Sequence, residues 1–347
     1  MRRWLRSALI ALALLAVAGT CYQSYENYSV PKRYPLSGRM VDVGGYRLRI
    51  DCIGTASPTV VIDGGIGTAT MGWTVVQREV AKFARVCVYD RAGYFASDDP
   101  PRDKPRTSEQ MARELHTLLA NAGERGPFVL VGHSFGAFTV RVYHALYPNE
   151  VAGVVMVDGS QEDGESTLKS LLPARRVKAL EIAQRVLLGT EPVTARLGLL
   201  RLITKPSGTA SDWKLFPPGM KNVAAQYMWR TSFDDIEAQE FAHMDESGEQ
   251  ARHSGSLGDL PLVVITARQP WLGPPVTPAD VPTVLAFQKV WIHDLQMRLV
   301  RLSTNGKQVM AEKSNHGIEF LEPDVVVGAV RDVVQAAAAP KATTDIP

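Results

Sequence analysis

Along the chain, short runs of β-branched and apolar residues alternate with longer stretches in which apolar positions recur every three to four residues. Met40–Val43 and Tyr46–Ile53 flank Gly44-Gly45, the mark of a hairpin. Thr59–Ile62, Arg85–Tyr89, Phe128–Val131, Val151–Val157, Leu262–Thr266 and Gln308–Ala311 supply six further strands. Wholly apolar runs such as Thr59–Ile62 suit strands covered on both faces. Between strands the period changes. Met111, Leu115, Leu118 and Leu119 share one helical face, behind a capping-box pair at Thr107 and Gln110. The alternation predicts an α/β fold, an eight-stranded, mostly parallel sheet flanked by helices.

One stretch breaks the alternation. From Gly159 to Gly258 the punctuation is helical and no strand pattern occurs. Val193, Leu197 and Leu200 form an apolar face there, and Pro217-Pro218 opens another helix. An independent second domain would need its own large core, and Asp234–Arg252 is too polar for one. Residues 159–258 therefore read as an all-helical insertion over the sheet, between core segments 38–158 and 259–337. The low-complexity stretch 338–347 reads as a loose tail.

At the other end, Arg2, Arg3 and Arg6 precede an uncharged apolar run of fourteen residues, Ser7 to Thr20. That run is shorter than the ~20 residues that cross a bilayer core. Ala16-Val17-Ala18 before Gly19 fits an export signal with its cleavage site. Two rivals stay open: Trp4 to Tyr22 as an uncleaved anchor, and Cys21 as a lipid-bearing cysteine behind the poor signal Ala18-Gly19-Thr20. Residues 1–21 are thus a signal peptide or a membrane anchor. Either places the protein outside the cytoplasm, secreted, periplasmic or held at a membrane. Export bears on the thiols. Cys52 and Cys87 lie in two strand-like runs and can bond if those strands are neighbours; two buried free thiols are the alternative.

Composition mainly excludes. With 38 basic and 36 acidic residues the net charge is +2, and no Lys/Arg run offers a grip on nucleic acid. Three cysteines in 347 residues make neither a disulfide-rich scaffold nor a four-thiolate zinc site. A hydrophobic share of 45% against 21% charged residues is that of a folded globular chain.

The chemistry is carried by a few positions. Phe128-Val129-Leu130-Val131 runs into Gly132-His133-Ser134-Phe135-Gly136 and then into a helix-compatible stretch. A hydroxyl nucleophile must project from a turn this sharp, and only tiny residues two positions either side let strand and helix approach. The turn also puts the Phe135 N–H at a helix start, where it can hold an oxyanion. Asp63-Gly64-Gly65-Ile66-Gly67 follows another strand, and its Ile66 N–H is the candidate second donor. A plain turn or a phosphate cradle is the rival, but no P-loop lysine follows. Of seven histidines, His316 stands in a loop after the last strand, where a general base can rotate and shuttle a proton. His133 lies inside the turn and reads as a packing residue.

Gly132–Gly136, the Gly64–Gly67 loop, Asp90-Arg91-Ala92-Gly93 after a strand, and the late His316 together resemble the α/β-hydrolase superfamily, from Gly38 to Gln335. The resemblance implies a helical cap inserted after the sixth strand. It also implies that the strands of Cys52 and Cys87 lie side by side, and that Asp90 and Arg91 brace a loop near the site. A related G-Y-G pattern departs here, reading Gly93-Tyr94-Phe95. In much of the superfamily the acid follows the seventh strand, yet no acid occurs from Ala267 until Asp280. A minority place it after the sixth strand, where Asp158 stands. Asp158 is the candidate acid, with Asp280, Glu162 and Asp163 as alternatives.

The expected activity is that of a serine hydrolase. Ser134 attacks a small-molecule carboxylic ester, His316 is the base, Asp158 orients it, and Ile66 and Phe135 N–H groups hold the oxyanion. No cofactor or metal is required. An amidase, thioesterase or C–C bond hydrolase would share every motif, and a catalytically silent binding protein is the rival of another class. Epoxide and haloalkane hydrolysis on this fold use a carboxylate nucleophile, which a serine at 134 disfavours. Leu197, Leu199, Leu200, Leu202 and Ile203 are candidates for the insertion's own core or for a substrate groove.

Overall fold

The structure is a computed structural model that describes residues 2–68, 70–203, 216, 219–272 and 276–339, without the side chains of residues 2, 202 and 203. Pro217-Pro218, the side chains of Leu202 and Ile203, and most of the C-terminal tail lie outside the described residues.

In chain order, helix α1 (Arg2–Arg33) precedes strands β1 (Arg39–Asp42), β2 (Arg47–Ile53) and β3 (Val60–Asp63). Helix α2 (Thr74–Val80), β4 (Val86–Tyr89), α3 (Ser108–Asn121), β5 (Phe128–His133), α4 (Gly136–Leu146) and β6 (Val151–Val157) follow. Six helices come next: α5 (Gly164–Leu171), α6 (Ala174–Arg196), α7 (Leu199–Ile203), α8 (Met220–Met228), α9 (Thr231–Ala242) and α10 (Met244–Arg252). The chain returns to the sheet with β7 (Leu262–Ala267), α11 (Val281–Val290), α12 (Gln296–Val300), β8 (Gly306–Ala311), α13 (Ile318–Leu321) and α14 (Pro323–Ala338).

The eight strands form one sheet in the order β1-β2-β4-β3-β5-β6-β7-β8. Only the β1–β2 and β2–β4 pairs are antiparallel. The inner parallel strands β3, β4, β5 and β7 are buried on both faces because helices cover both, which is why their sequences are mostly apolar; β8, at the sheet edge, is only partly buried. Alternate residues divide between two layers. Val61, Leu130 and Val154 pack with Leu115 and Leu118 of α3 and Phe138 of α4. Val60, Val129 and Val155 face the other way, onto Val76 of α2 and Val330 and Val333 of α14. Truncating a fully buried side chain such as Leu130 to alanine costs about 2–5 kcal/mol.

Cys52 and Cys87 are register partners on β2 and β4, and a disulfide joins them. The capping box at α3 forms by half. Thr107 accepts from the Gln110 N–H, but the Gln110 side chain turns to Glu114, which gathers Arg106 and Tyr46 as well.

The stretch between β6 and β7 is helical wherever it is described, and its parts differ in allegiance. α10 packs against α3 and α4, and its Ser247 and Gln250 side chains accept the first two N–H groups of α3. α6, α8 and α9 instead lean on one another and on α1, with a small core around Tyr227, Phe233 and Ile236 that rests on Tyr94 and Phe95. The expected Val193–Leu197–Leu200 face does not form. α6 ends at Arg196 and Gly198 takes φ +68°, so Leu200 belongs to another helix and Val193 is left exposed. α1 runs on as one helix well past Thr20, with Gln23, Glu26 and Val30 buried against the insertion.

Candidate active site

Only Ser134 and Phe135 separate β5 from α4, so the chain must reverse within two residues. Ser134 does so at φ +51°, a left-handed conformation that holds about 1–3 kcal/mol of strain in a residue with a side chain. The flanking glycines permit it. A Cβ at Gly132 would stand 2.6 Å from the Gly136 oxygen, and one at Gly136 would stand 2.4 Å from the Asp63 oxygen. The strand next door is tied to this corner: the Ser134 N–H donates to the Val157 oxygen at 3.1 Å, and the Ser160 N–H to the Ser134 oxygen at 2.9 Å.

Asp158 follows β6 and also turns left-handed, at φ +42°. Its Oδ2 lies 2.7 Å from Nδ1 of His316, while its Oδ1 accepts from Trp291 Nε1 at 2.8 Å and from the Ala267 N–H at 3.1 Å. Burial pushes the Asp158 carboxyl up, but these donors and the imidazole prevail and hold it below its ordinary range. For His316, burial opposes the charged ring, yet the hydrogen bond and charge of Asp158 win and raise its pKa above 6.5. With Nδ1–H directed at Asp158, Nε2 is the nitrogen left to accept a proton.

The three alternative acids are engaged elsewhere. Asp280 binds Arg176 and Thr277 at the start of α11, which draws its pKa down to about 2. Glu162 pairs with Arg141, and Asp163 with Arg252 and Arg298. His133 is a support. Its Nε2 donates to the His316 carbonyl at 3.0 Å, and burial, then repulsion from His316, push its pKa down to about 3. It stays neutral while the loop carrying His316 is held.

The glycine loop after β3 comes close to Ser134. A Cβ on Gly65 would lie 3.0 Å from the Ser134 Cβ. Arg91, buried, grips the outer side of this loop through the carbonyls of Gly64 at 2.6 Å and Gly65 at 2.7 Å, and through Asp63 at 2.9 Å. In a trans peptide the N–H points opposite to the C=O. Holding the Gly65 carbonyl therefore turns the Ile66 N–H away from Arg91. Within the described residues neither that N–H nor the Phe135 N–H is engaged by another protein group.

Two parts of this arrangement escaped sequence reasoning. Glu240 of α9 meets Arg91 with both oxygens, at 3.0 and 2.9 Å, and accepts from Tyr94, whose hydroxyl in turn accepts from the Gly67 N–H. Trp291 begins a π-helical turn, Trp291–Leu295, a distortion that often marks a functional position. Neither residue leaves a signal in the sequence, since the turn and the burial arise only in the fold. Asp90, like Arg91, is a brace, held by Arg49 at 2.6 Å. Phe95 adopts φ +43°, the conformation a glycine takes without strain, which is the sense of the G-Y-G pattern it interrupts.

A cavity of about 750 Å³ opens onto Asp158, His316 and Ile66. Its apolar walls come from Leu168, Leu172 and Leu180 of α5 to α6, and from Phe287, Trp291 and Phe320. Leu197, Leu199 and Leu200 do not line it, because α6 reaches the cavity with its first turns rather than its last. Behind the glycine loop, where a Cβ on Gly67 would stand 2.8 Å from Glu237 Oε1, Glu191, Asp234 and Glu237 bring ligand-capable oxygens within 4.8 Å of one another. Burial, then the neighbouring carboxylates, push Asp234 up to about 8 and Glu237 to about 7.

Comparison with known proteins supports the same frame. Residues 58–277 match the family model for the alpha/beta hydrolase fold. The uncharacterized protein YqjL of Bacillus subtilis (strain 168) is 30% identical over 284 residues, 82% of this chain and 86% of its own. A shorter match, 33% over 129 residues, covers 35% of this chain and only 18% of a probable transporter, efuK, of Hormonema carpetanum. Among solved structures, the enol-lactonase of Burkholderia xenovorans LB400 superposes with a TM-score of 0.56 at 16% identity, over 86% of this chain and all of that one. At that identity the likeness speaks for the fold alone. With sheet order, strand-to-helix turn and family match in agreement, the chain belongs to the alpha/beta hydrolase fold family.

Proposed function

We propose that this protein is a serine hydrolase that cleaves carboxylic esters in the cavity beside His316, outside the cytoplasm or at a membrane. One observation carries the reading: a left-handed serine between strand and helix, whose chain neighbour His133 holds the backbone of His316, the histidine whose Nδ1 is 2.7 Å from a buried carboxylate. Ser134 Oγ adds to the ester carbonyl carbon as His316 Nε2 takes its proton. The carbonyl oxygen becomes an oxyanion held by the Phe135 N–H and the loop N–H of Ile66. Collapse breaks the C–O bond, and the proton on His316 passes to the departing alcohol. Water then repeats the sequence on the acyl-enzyme, returning Ser134 and releasing the acid. Asp158 keeps the imidazole in the right tautomer and stabilises its charged form throughout.

An apolar cavity favours an uncharged acyl chain. The full chain in detergent should hydrolyse p-nitrophenyl esters from acetate to palmitate, with an optimum that sizes the cavity. Ser134→Ala should lower kcat by about 10⁵–10⁶. Equal rates in the two proteins would remove Ser134 from the mechanism. A folded wild type that fails to react with a fluorophosphonate would favour the silent binding protein instead.

A further inference from the structure

α1 has two different halves. From Gln23 onward it is part of the protein: Gln23 donates to the Trp229 carbonyl at 2.7 Å, Asn27 to Thr231 at 2.9 Å, and Glu26, Ser29 and Val30 are buried. Among the described residues nothing covers it from Trp4 to Tyr22 but for partial contacts at Ala16 and Gly19, so a run of leucines, isoleucine and valine faces outward. Aromatic residues mark both ends of that run. Trp4 is exposed at one, beside Arg3 and Arg6, and Tyr22, Tyr25 and Tyr28 are exposed at the other. At 1.5 Å per residue, Trp4 to Tyr22 spans about 27 Å, close to the ~30 Å of a hydrocarbon core. Aromatic belts with a basic flank are how spanning helices register to a bilayer.

α6 ends where that helix would emerge. A side chain at Gly19 would put its Cβ 2.3 Å from the Leu197 carbonyl, so the two backbones touch at the end of α6. From there α6 reaches back to the cavity, which Arg176 and Leu180 line. Its middle, Glu181 to Leu187, is exposed at every position, and Ile182, Val186 and Leu187, with Val193 farther on, leave large apolar side chains uncovered. Arg175, Lys178 and Arg185 are exposed among them, while the acid Glu181 is matched by Lys169. An uncovered helix with apolar and basic positions is suited to the headgroup layer of an anionic membrane.

We infer that α1 and α6 form one bilayer-seating surface, in which α1 crosses the membrane and the middle of α6 lies in the interface of the same leaflet it leaves. The cavity mouth beside α6 then opens toward lipid, and an ester dissolved in the bilayer enters without crossing water. The substrate part of this inference rests on the esterase reading; the seating does not.

The test uses the full chain with Cys21→Ser and Leu187→Cys, labelled with an environment-sensitive fluorophore, in vesicles of phosphatidylcholine and phosphatidylglycerol. Cys52 and Cys87 are in a disulfide and take no label. Lipids carrying a nitroxide near the headgroup should quench this probe at least threefold more than one at Arg331→Cys on α14, below the sheet. Strong quenching by aqueous iodide at 187 would overturn the seating, as would shielding from both quenchers, which would mean a second copy covers α6. A second measurement takes the ratio of vesicle-borne long-chain ester to soluble p-nitrophenyl acetate hydrolysis. In Ile182→Asp/Leu187→Asp that ratio should fall about tenfold, and an unchanged ratio would overturn delivery from the bilayer. Because a ratio cancels partial unfolding, it stays readable if the variant is damaged. A wild type inactive on p-nitrophenyl acetate defeats the esterase reading alone, since quenching needs no turnover.

Discussion

The strand-end half of the site and the helical half are built on different plans. Ser134, Asp158 and His316 stand at the ends of β5, β6 and β8, strands that already pair through backbone bonds. Their relative positions follow from sheet register, and short turns do the rest. The helices between β6 and β7 have no such ladder. Besides the cavity wall of α5 and α6, they meet the site through a buried charge cluster, in which Glu240 of α9 holds Arg91 and Tyr94, and these hold the glycine loop. One half is placed by repetition of backbone geometry, the other by a few side chains that must find each other.

That contrast can be broken at its strongest point first. Asp158→Asn should leave the sheet and its stability nearly intact yet lower kcat by about 10⁴, measured on p-nitrophenyl butyrate. The pH profile should move with it. In the wild type the base must be neutral, so kcat/KM should fall as pH drops through the His316 pKa, which lies above 6.5. Removing the carboxylate removes what raised that pKa, so the acid limb should shift to lower pH in the variant. An unshifted limb would mean another group titrates there.

Glu240→Gln should show the opposite division. Removing one of the two carboxylates that Arg91 meets, with Asp63 left in place, should cost about 1–3 kcal/mol, to be read from urea unfolding. The rate should drop only about tenfold, because the catalytic groups on the strands remain. A large rate loss with unchanged stability would show that α9 works on the chemistry directly. Leu180→Ala should do least. Its half-buried side chain lines the cavity, so stability should change by less than about 1 kcal/mol while preference among acyl chain lengths shifts by severalfold.

The same division decides what could be read from sequence. The strands were legible because burial on both faces forces apolar runs, and the strand-to-helix turn because its tightness forces glycines around Ser134. His316 was legible by its place after the last strand. Asp158 was ambiguous among four acids because nothing in a string of letters shows which carboxylate turns left-handed toward the imidazole. Glu240 was not legible at all. It lies 149 residues from Arg91, and a glutamate on an amphipathic helix looks like any solvated one until the fold buries it. Trp291 was hidden in the same way, its indole aimed at Asp158 by a π-helical turn. Nor did the apolar letters near Leu200 separate cavity wall from helix packing, since both ask for the same residues.

The left-handed corner at Ser134 has a consequence for the history of such a chain. Glycine would rest at φ +51° without strain, so on the proposed chemistry a single change at this position would make the protein sturdier and inert. Any lineage, or any engineer, that rewarded heat resistance alone would drift toward that glycine and erase the hydroxyl. A serine persists there only while something in the cell keeps asking for the reaction.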